Sequence, residues 1–327
     1  MNKKYLKIIL TALFVFSCLG ITACGKKETD NQTEQVTVAV TEESTTEELT
    51  ETPTEVTTEE TTEVPESKNI EVTDISDTEK EIYVYRDGLK IFGKVYLPEG
   101  DGPFPVVVCS NGAGTAYTTY KDIAMKLADN GIAAVCFDFA GAFSPSKSEG
   151  SITEYSVLTE AKDLETIIDG IVTLDYIDKD NVFLWGHSMG GFVSAYVGCE
   201  NPDTIKGMML AEPSFQFHDE ARSYFPEGTE IPDVVTDPLY CGGMFFEDIL
   251  SFNIYDMMPD YDKDVIIYGG TEKPSIGAEM PEYLERATET FPSAKLLLIE
   301  NTNHQFNGEG RSVMINDMIE FVRNHAQ

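Results

Sequence analysis

The chain has 327 residues, with 57 Asp and Glu against 23 Lys and Arg, and a formal net charge of −34. So acidic a surface repels phosphate backbones and excludes nucleic acid as a partner. Its six cysteines and four histidines show no C-x-x-C or H-x-x-x-H spacing, so no metal site is read from them.

Residues 1–24 read as an export signal. Asn2-Lys3-Lys4 and Lys7 form a basic start, and Ile8 to Leu19 supply an apolar core too short for a typical membrane span. The segment ends Ile21-Thr22-Ala23-Cys24-Gly25, which resembles a bacterial lipoprotein signal. That resemblance implies cleavage before Cys24, lipidation of its thiol, and a membrane anchor facing the extracellular side. The alternative is an ordinary Cys24 behind a cleaved signal.

Residues 25–79 read as a disordered Thr/Glu-rich tether. From Glu28 to Glu79 seventeen acidic residues stand against Lys68 alone. Such a stretch cannot bury enough apolar area to offset its ordering entropy, and like charges extend it.

Residues 80–327 are long enough for one α/β domain with a full core. Glu81–Arg86 and Leu89–Leu97 alternate around Asp87-Gly88 and predict an opening hairpin. Continuous apolar runs predict central strands at Pro105–Cys109, Ile132–Phe137, Val182–Trp185, Met208–Leu210, Val265–Tyr268 and Leu296–Ile299. Helical spacing predicts helices near Tyr120–Asn130, Val157–Val172 and Ser312–Asn324. This alternation implies a mostly parallel sheet flanked by helices. Cys109 and Cys136 fall in the apolar runs and read as small buried residues. Residues 213–262 interrupt the pattern with aromatic, acidic and Pro-rich sequence, and predict a lid insertion carrying short helices. Its aromatics either line a pocket or form the lid's own core.

Gly186-His187-Ser188-Met189-Gly190 follows an apolar strand and precedes a helical pattern, which makes Ser188 a candidate nucleophile on a strand-to-helix elbow. A serine hydroxyl needs a base. His187 lies inside the elbow with its side chain projecting elsewhere, His218 lies in the insertion, and His325 lies at the C-terminal end. His304, in the loop after the last strand, is therefore the candidate base. The N–H groups of Met189 and of Ala113, in the loop Ser110-Asn111-Gly112-Ala113-Gly114, are candidate oxyanion donors.

With these residues in place, the domain resembles the α/β-hydrolase fold, and within it bacterial cinnamoyl/feruloyl esterase-like and dienelactone-hydrolase-like serine hydrolases. The hairpin Tyr85 to Pro98 carries the likeness, with Phe137-Asp138-Phe139-Ala140-Gly141, Ser144, Ser146, Ser148, and Ser156 to Glu160 with Asp163-Leu164. The resemblance implies an acyl-enzyme mechanism on a small ester substrate, with Ser188 and His304 as nucleophile and base. It also implies a lid over the acyl or aryl pocket and no cofactor. Two departures stand out. Asn111 replaces the usual histidine before Gly112. Where the acid normally follows the seventh strand, the turn reads Gly270-Thr271-Glu272-Lys273-Pro274, which sets Lys273 at the acid's place. Glu272 then becomes the leading acid, Glu212 the alternative, and a missing acid the third reading. Xaa-Pro-type or other peptidase activity, and a catalytically weakened surface binding module, are the competing functions.

Overall fold

A computed structural model describes residues 70–142, 146–237 and 239–326. The signal, Cys24, most of the tether and Ser144 lie outside the described residues. The first strand, β1 (Ile70–Asp74), corrects the expected boundary at Lys80. It pairs antiparallel with β2 (Glu79–Arg86), Ile70 opposite Val84. The acidic residues that made this segment read as tether have cationic partners here: Glu71 meets Lys90 at 3.2 Å and Asp74 meets Lys80 at 2.6 Å. Ile70 alone of the strand is buried.

The expected hairpin closes β2 on β3 (Leu89–Tyr96), with Arg86 opposite Leu89. Then follow β4 (Phe104–Ser110), α1 (Lys121–Ala128), β5 (Ala133–Phe137), α2 (Val157–Ile171), β6 (Ile177–His187), α3 (Met189–Glu200) and β7 (Ile205–Ala211). An insertion carries α4 (Phe217–Tyr224), a short ribbon of β8 (Val234–Val235) and β9 (Cys241–Gly242), α5 (Met244–Ser251) and α6 (Ile254–Met257). The chain ends with β10 (Val265–Gly270), α7 (Ile276–Glu279), α8 (Pro281–Thr290), β11 (Ala294–Ile299) and α9 (Glu309–His325).

Nine of the described strands form one sheet in the order β1-β2-β3-β5-β4-β6-β7-β10-β11. From β5 to β11 every pairing is parallel, while the β1–β2–β3 edge and its junction to β5 are antiparallel. Successive side chains of a strand face opposite ways, and both faces of the central strands β4 to β7 and β10 are dry. Val106, Val108, Leu184 and Ile267 pack with Leu164 and Ile168 of α2 and with Phe192 and Val193 of α3. Val107, Cys109, Trp185 and Tyr268 pack with Ile123 and Leu127 of α1 and with Met314, Met318 and Val322 of α9. Burial on two faces explains why these strands read as continuous apolar runs. Helix α2 starts at a capping box, Ser156 accepting from Thr159 N and Thr159 Oγ1 accepting from Ser156 N.

The insertion packs on the sheet's own core. Phe215, Phe217, Phe245, Phe246 and Tyr255 are buried in the same cluster as α3, and Phe192 of α3 meets the rings of Phe215 and Phe217 at 6.2 Å and His218 at 5.4 Å. Most of these aromatics therefore stabilise the insertion by burial; Tyr240 is exposed.

The motif residues between β5 and α2 act as ties. Asp138 accepts from Tyr117 N at 2.7 Å and Lys147 N at 2.8 Å, and Ser148 Oγ bonds Asp138 O. Asp163 accepts from Arg86 Nε and, at 2.7 Å, from Ala140 N.

Candidate active site

Strand β6 ends at His187, and Ser188 turns the chain into α3 with φ 56° and ψ −119°. The left-handed φ falls on the serine and not on its glycines. Gly186 and Gly190 serve a different purpose, close approach. A Cβ at Gly186 would overlap the carbonyl oxygen of Gly190, and one at Gly190 would overlap those of Ser110 and Asn111. The elbow therefore sits directly on the β4 loop.

Backbone bonds hold the turn on three sides. Ser188 N donates to Ala211 O at 2.9 Å, and Ser188 O accepts from Gly191 N and Phe192 N. Ser214 N also donates to Ser188 O at 3.1 Å. Ser188 Oγ lies 3.3 Å from Ser214 Oγ, and both serines are buried. Met189 and Gly190 open α3, where first-turn N–H groups have no intrahelical acceptor and the dipole favours negative charge. The second donor loop lies alongside: Ala113 is half-buried, and Asn111 Nδ2 donates to Phe137 O at 2.6 Å. Asn111 thereby ties the loop to β5 and leaves the loop's backbone in place.

His304 follows β11, buried, its N–H donating to Pro274 O at 3.0 Å. Its Nδ1 faces Glu212 Oε2 at 3.4 Å. Because a carboxylate oxygen only accepts, Nδ1 carries the proton and Nε2 is left as a base. Glu212 follows β7 with φ 47° and is fully buried. Its Oε1 accepts from Gly270 N at 2.5 Å, Ser275 Oγ at 2.6 Å and Gly277 N at 3.2 Å, and Gly277 N also reaches Oε2 at 3.1 Å. Every contact is one in which the carboxyl accepts.

This geometry corrects the leading choice of acid. Glu272 and Lys273 are both exposed, and Glu272 joins the site only by donating its backbone N–H to Thr302 O. The turn after β10 curls so that its backbone, not its carboxylate, faces inward. Gly270 N and Gly277 N then become donors to the carboxyl arriving from β7.

The other histidines are accounted for. His218 Nδ1 donates to Ile249 O at 2.8 Å, its Nε2 accepts from Ile254 N at 3.1 Å, and burial pushes its pKa down to about 4. His325 bonds Phe321 O and Asp264 at the end of α9. His187 is buried under the elbow, and its side chain reaches the carbonyl of His304. Sequence reasoning gave no role to Ser214, Ser275 or Gly277, and it set His187 aside as projecting elsewhere. A serine two positions after the strand-end carboxylate was the only visible signal for Ser214.

A serine on a strained strand-to-helix turn, whose preceding His187 bonds the loop of a histidine that faces a buried carboxylate, at the C-terminal edge of a mostly parallel sheet, defines the α/β-hydrolase class. The profile of the family described as serine aminopeptidase, S33, matches residues 101–299, and the chain belongs to this family of α/β-hydrolases. Among curated relatives, monoglyceride lipase of Mus musculus is 31% identical over 143 residues, 43% of this chain and 45% of that protein. Monoglyceride lipase of Homo sapiens is 25% identical over 217 residues, 64% of this chain and 67% of that protein. The match thus spans under half of the mouse relative and about two thirds of the human one. The solved structure of ferulic acid bound to Est1E from Butyrivibrio proteoclasticus superimposes with a TM-score of 0.66 at 20% identity, over 74% of this chain and 98% of that one. At that identity the likeness speaks for the fold alone.

Proposed function

We propose that the protein is a serine hydrolase of carboxylic esters, acting outside the cell from a lipid anchor at Cys24. Ser188 attacks the ester carbonyl as His304 Nε2 takes its proton. Glu212 holds the Nδ1–H tautomer and stabilises the imidazolium that forms. The N–H groups of Met189 and Ala113 receive the oxyanion, His304 returns the proton to the departing alcohol, and water releases the acyl group through the same cycle in reverse order. The observation that carries this reading is the buried Glu212 carboxyl against His304 Nδ1, at the sheet edge where Ser188 emerges with its positive φ.

Acyl glycerols are the substrate class to which the curated relatives point, feruloyl-type esters the class that the resemblance of the sequence motifs implies, and the insertion is proposed as the lid over the acyl pocket. Fluorophosphonate should label the full-length protein at Ser188 and not its Ser188→Ala variant, and short p-nitrophenyl esters should turn over. A folded protein that neither labels nor turns over esters would sink the reading. The runner-up is a peptidase of the same fold, favoured by the family's description. Faster cleavage of Xaa-Pro amides than of monoacylglycerol or methyl ferulate would install it instead. For the anchor, Cys24→Ser should release the protein from the membrane fraction; continued retention would refute lipidation as the tether.

A further inference from the structure

His187 is given no part in proton transfer from the serine, yet it contacts the base loop, Tyr120 and the oxyanion loop. Its ring is 2% exposed. Nε2 lies 2.6 Å from the backbone oxygen of His304, across 117 positions of sequence, and Nδ1 lies 2.7 Å from Tyr120 Oη. A carbonyl oxygen only accepts, so Nε2 carries the proton and Nδ1 is left to accept from the tyrosine hydroxyl. The bond order is thereby fixed: Tyr120 O–H to Nδ1, then Nε2–H to His304 O. The ring also packs 4.6 Å from that of His304 and edge-on to Phe306 at 6.2 Å. A Cβ at Gly112, in the oxyanion loop, would come within 2.9 Å of its Nδ1. Beyond the histidine, Arg311 holds Gln305 O and Phe306 O while pairing with Asp122 of α1.

We propose that His187, oriented by Tyr120, is a positioning residue that sets the distance between nucleophile and base. It is the residue immediately before Ser188 and it bonds the main chain of His304 itself. A displacement of the base loop relative to the elbow must therefore break that bond. The strut is neutral: burial first, then any positive charge that forms on His304 and the Arg311 guanidinium, holds the His187 pKa well below the usual histidine range. Neutrality suits its place, because a second cation beside His304 would oppose the imidazolium formed during catalysis. The role rests on the Ser188–His304 reading above.

The test compares wild type, His187→Gln, His187→Leu and Tyr120→Phe as full-length proteins, reading kcat, KM and the rate of fluorophosphonate labelling. Misplacement by about 1 Å costs roughly 10²-fold, so His187→Leu should lose kcat and labelling rate on that scale with KM unchanged. His187→Gln retains an N–H able to donate to His304 O and should recover most of the loss. Tyr120→Phe deletes one oxygen, folds with the least disturbance, and should lower kcat at constant KM. Equal kcat for the Gln and Leu variants, or a Tyr120→Phe protein with wild-type kcat, overturns the inference while wild-type labelling stands. A wild type unlabelled at Ser188 overturns the serine reading and this role together.

Discussion

Glu212 and His304 lie 92 positions apart in sequence, and their side chains meet at 3.4 Å between Oε2 and Nδ1. The contact joins the end of β7 to the loop after β11, across the intervening β10. On the proposed mechanism it also leaves the turn after β10 free to carry Lys273, because the carboxyl facing His304 arrives from β7.

Glu212→Gln should therefore lower kcat steeply, by about 10⁴-fold where a triad acid holds the tautomer, because an amide can present N–H toward Nδ1 and favour the wrong one. Glu272→Gln and Lys273→Asp should leave kcat at the wild-type level. Esterase kinetics on the three variants decide the point, and a large gain in Lys273→Asp would restore the original register.

The parts of this arrangement that sequence carried were those written locally. Runs such as Val182 to Trp185 are apolar because both sheet faces are covered, and the elbow glycines stand next to the serine they serve. The last helix, expected at Ser312–Asn324, forms as Glu309–His325. The acid was not legible in this way, because its choice depends on how two distant turns curl. Nothing in Gly270-Thr271-Glu272-Lys273 says that the backbone faces inward and the carboxylate outward. β1 was hidden for a related reason. Its acidic residues are exposed, as a tether's would be, and their pairing with Lys80 and Lys90 is not written in the local sequence.

Gly190→Ala should be among the most destabilising single-methyl additions to the protein. Its Cβ would be driven into the Ser110 and Asn111 carbonyls, and backbone on both sides cannot yield as a flexible side chain would. Overpacking of this kind costs about 1–3 kcal/mol and sometimes more. Chemical denaturation of Gly190→Ala should show that loss, together with loss of labelling at Ser188. Gly88→Ala, where an added Cβ meets nothing within 4 Å, is the control for glycine replacement at an open turn, where its φ of 84° still exacts a smaller cost.

Arg86 and Asp163 form a buried pair that links β2 to α2, the arginine side chain 12% exposed and the aspartate fully covered. Burial pushes Asp163 up to about 6, against the opposing pull of Arg86. Removing only the cation strands a carboxylate in the core, so Arg86→Met should cost about 3–5 kcal/mol. Adding Asp163→Asn should return part of it, since no charge is then left uncompensated. The Arg86→Met deficit should also shrink as pH falls toward about 6, because without the pull of Arg86 the Asp163 carboxyl takes up its proton above the wild-type value. A double variant no more stable than Arg86→Met would show that the pair acts through packing instead.

Glu220, on α4, is 4% exposed, and neither carboxyl oxygen has a hydrogen-bond partner among the described residues. Burial, with Asp219 beside it, raises its pKa from 4.5 to about 8. The sign follows from proton counts: between these values the folded chain holds a proton that the unfolded chain has released. Stability from this group is therefore fully present below pH 4.5 and is lost as pH rises toward about 8, with a slope of at most about 1.4 kcal/mol per pH unit. Glu220→Gln keeps the shape, cannot ionise, and should flatten that slope. Urea denaturation of wild type and Glu220→Gln from pH 5 to 8.5 measures the difference. The variant should gain on the wild type steadily toward alkaline pH, and parallel curves would show that Glu220 keeps no extra proton in the fold.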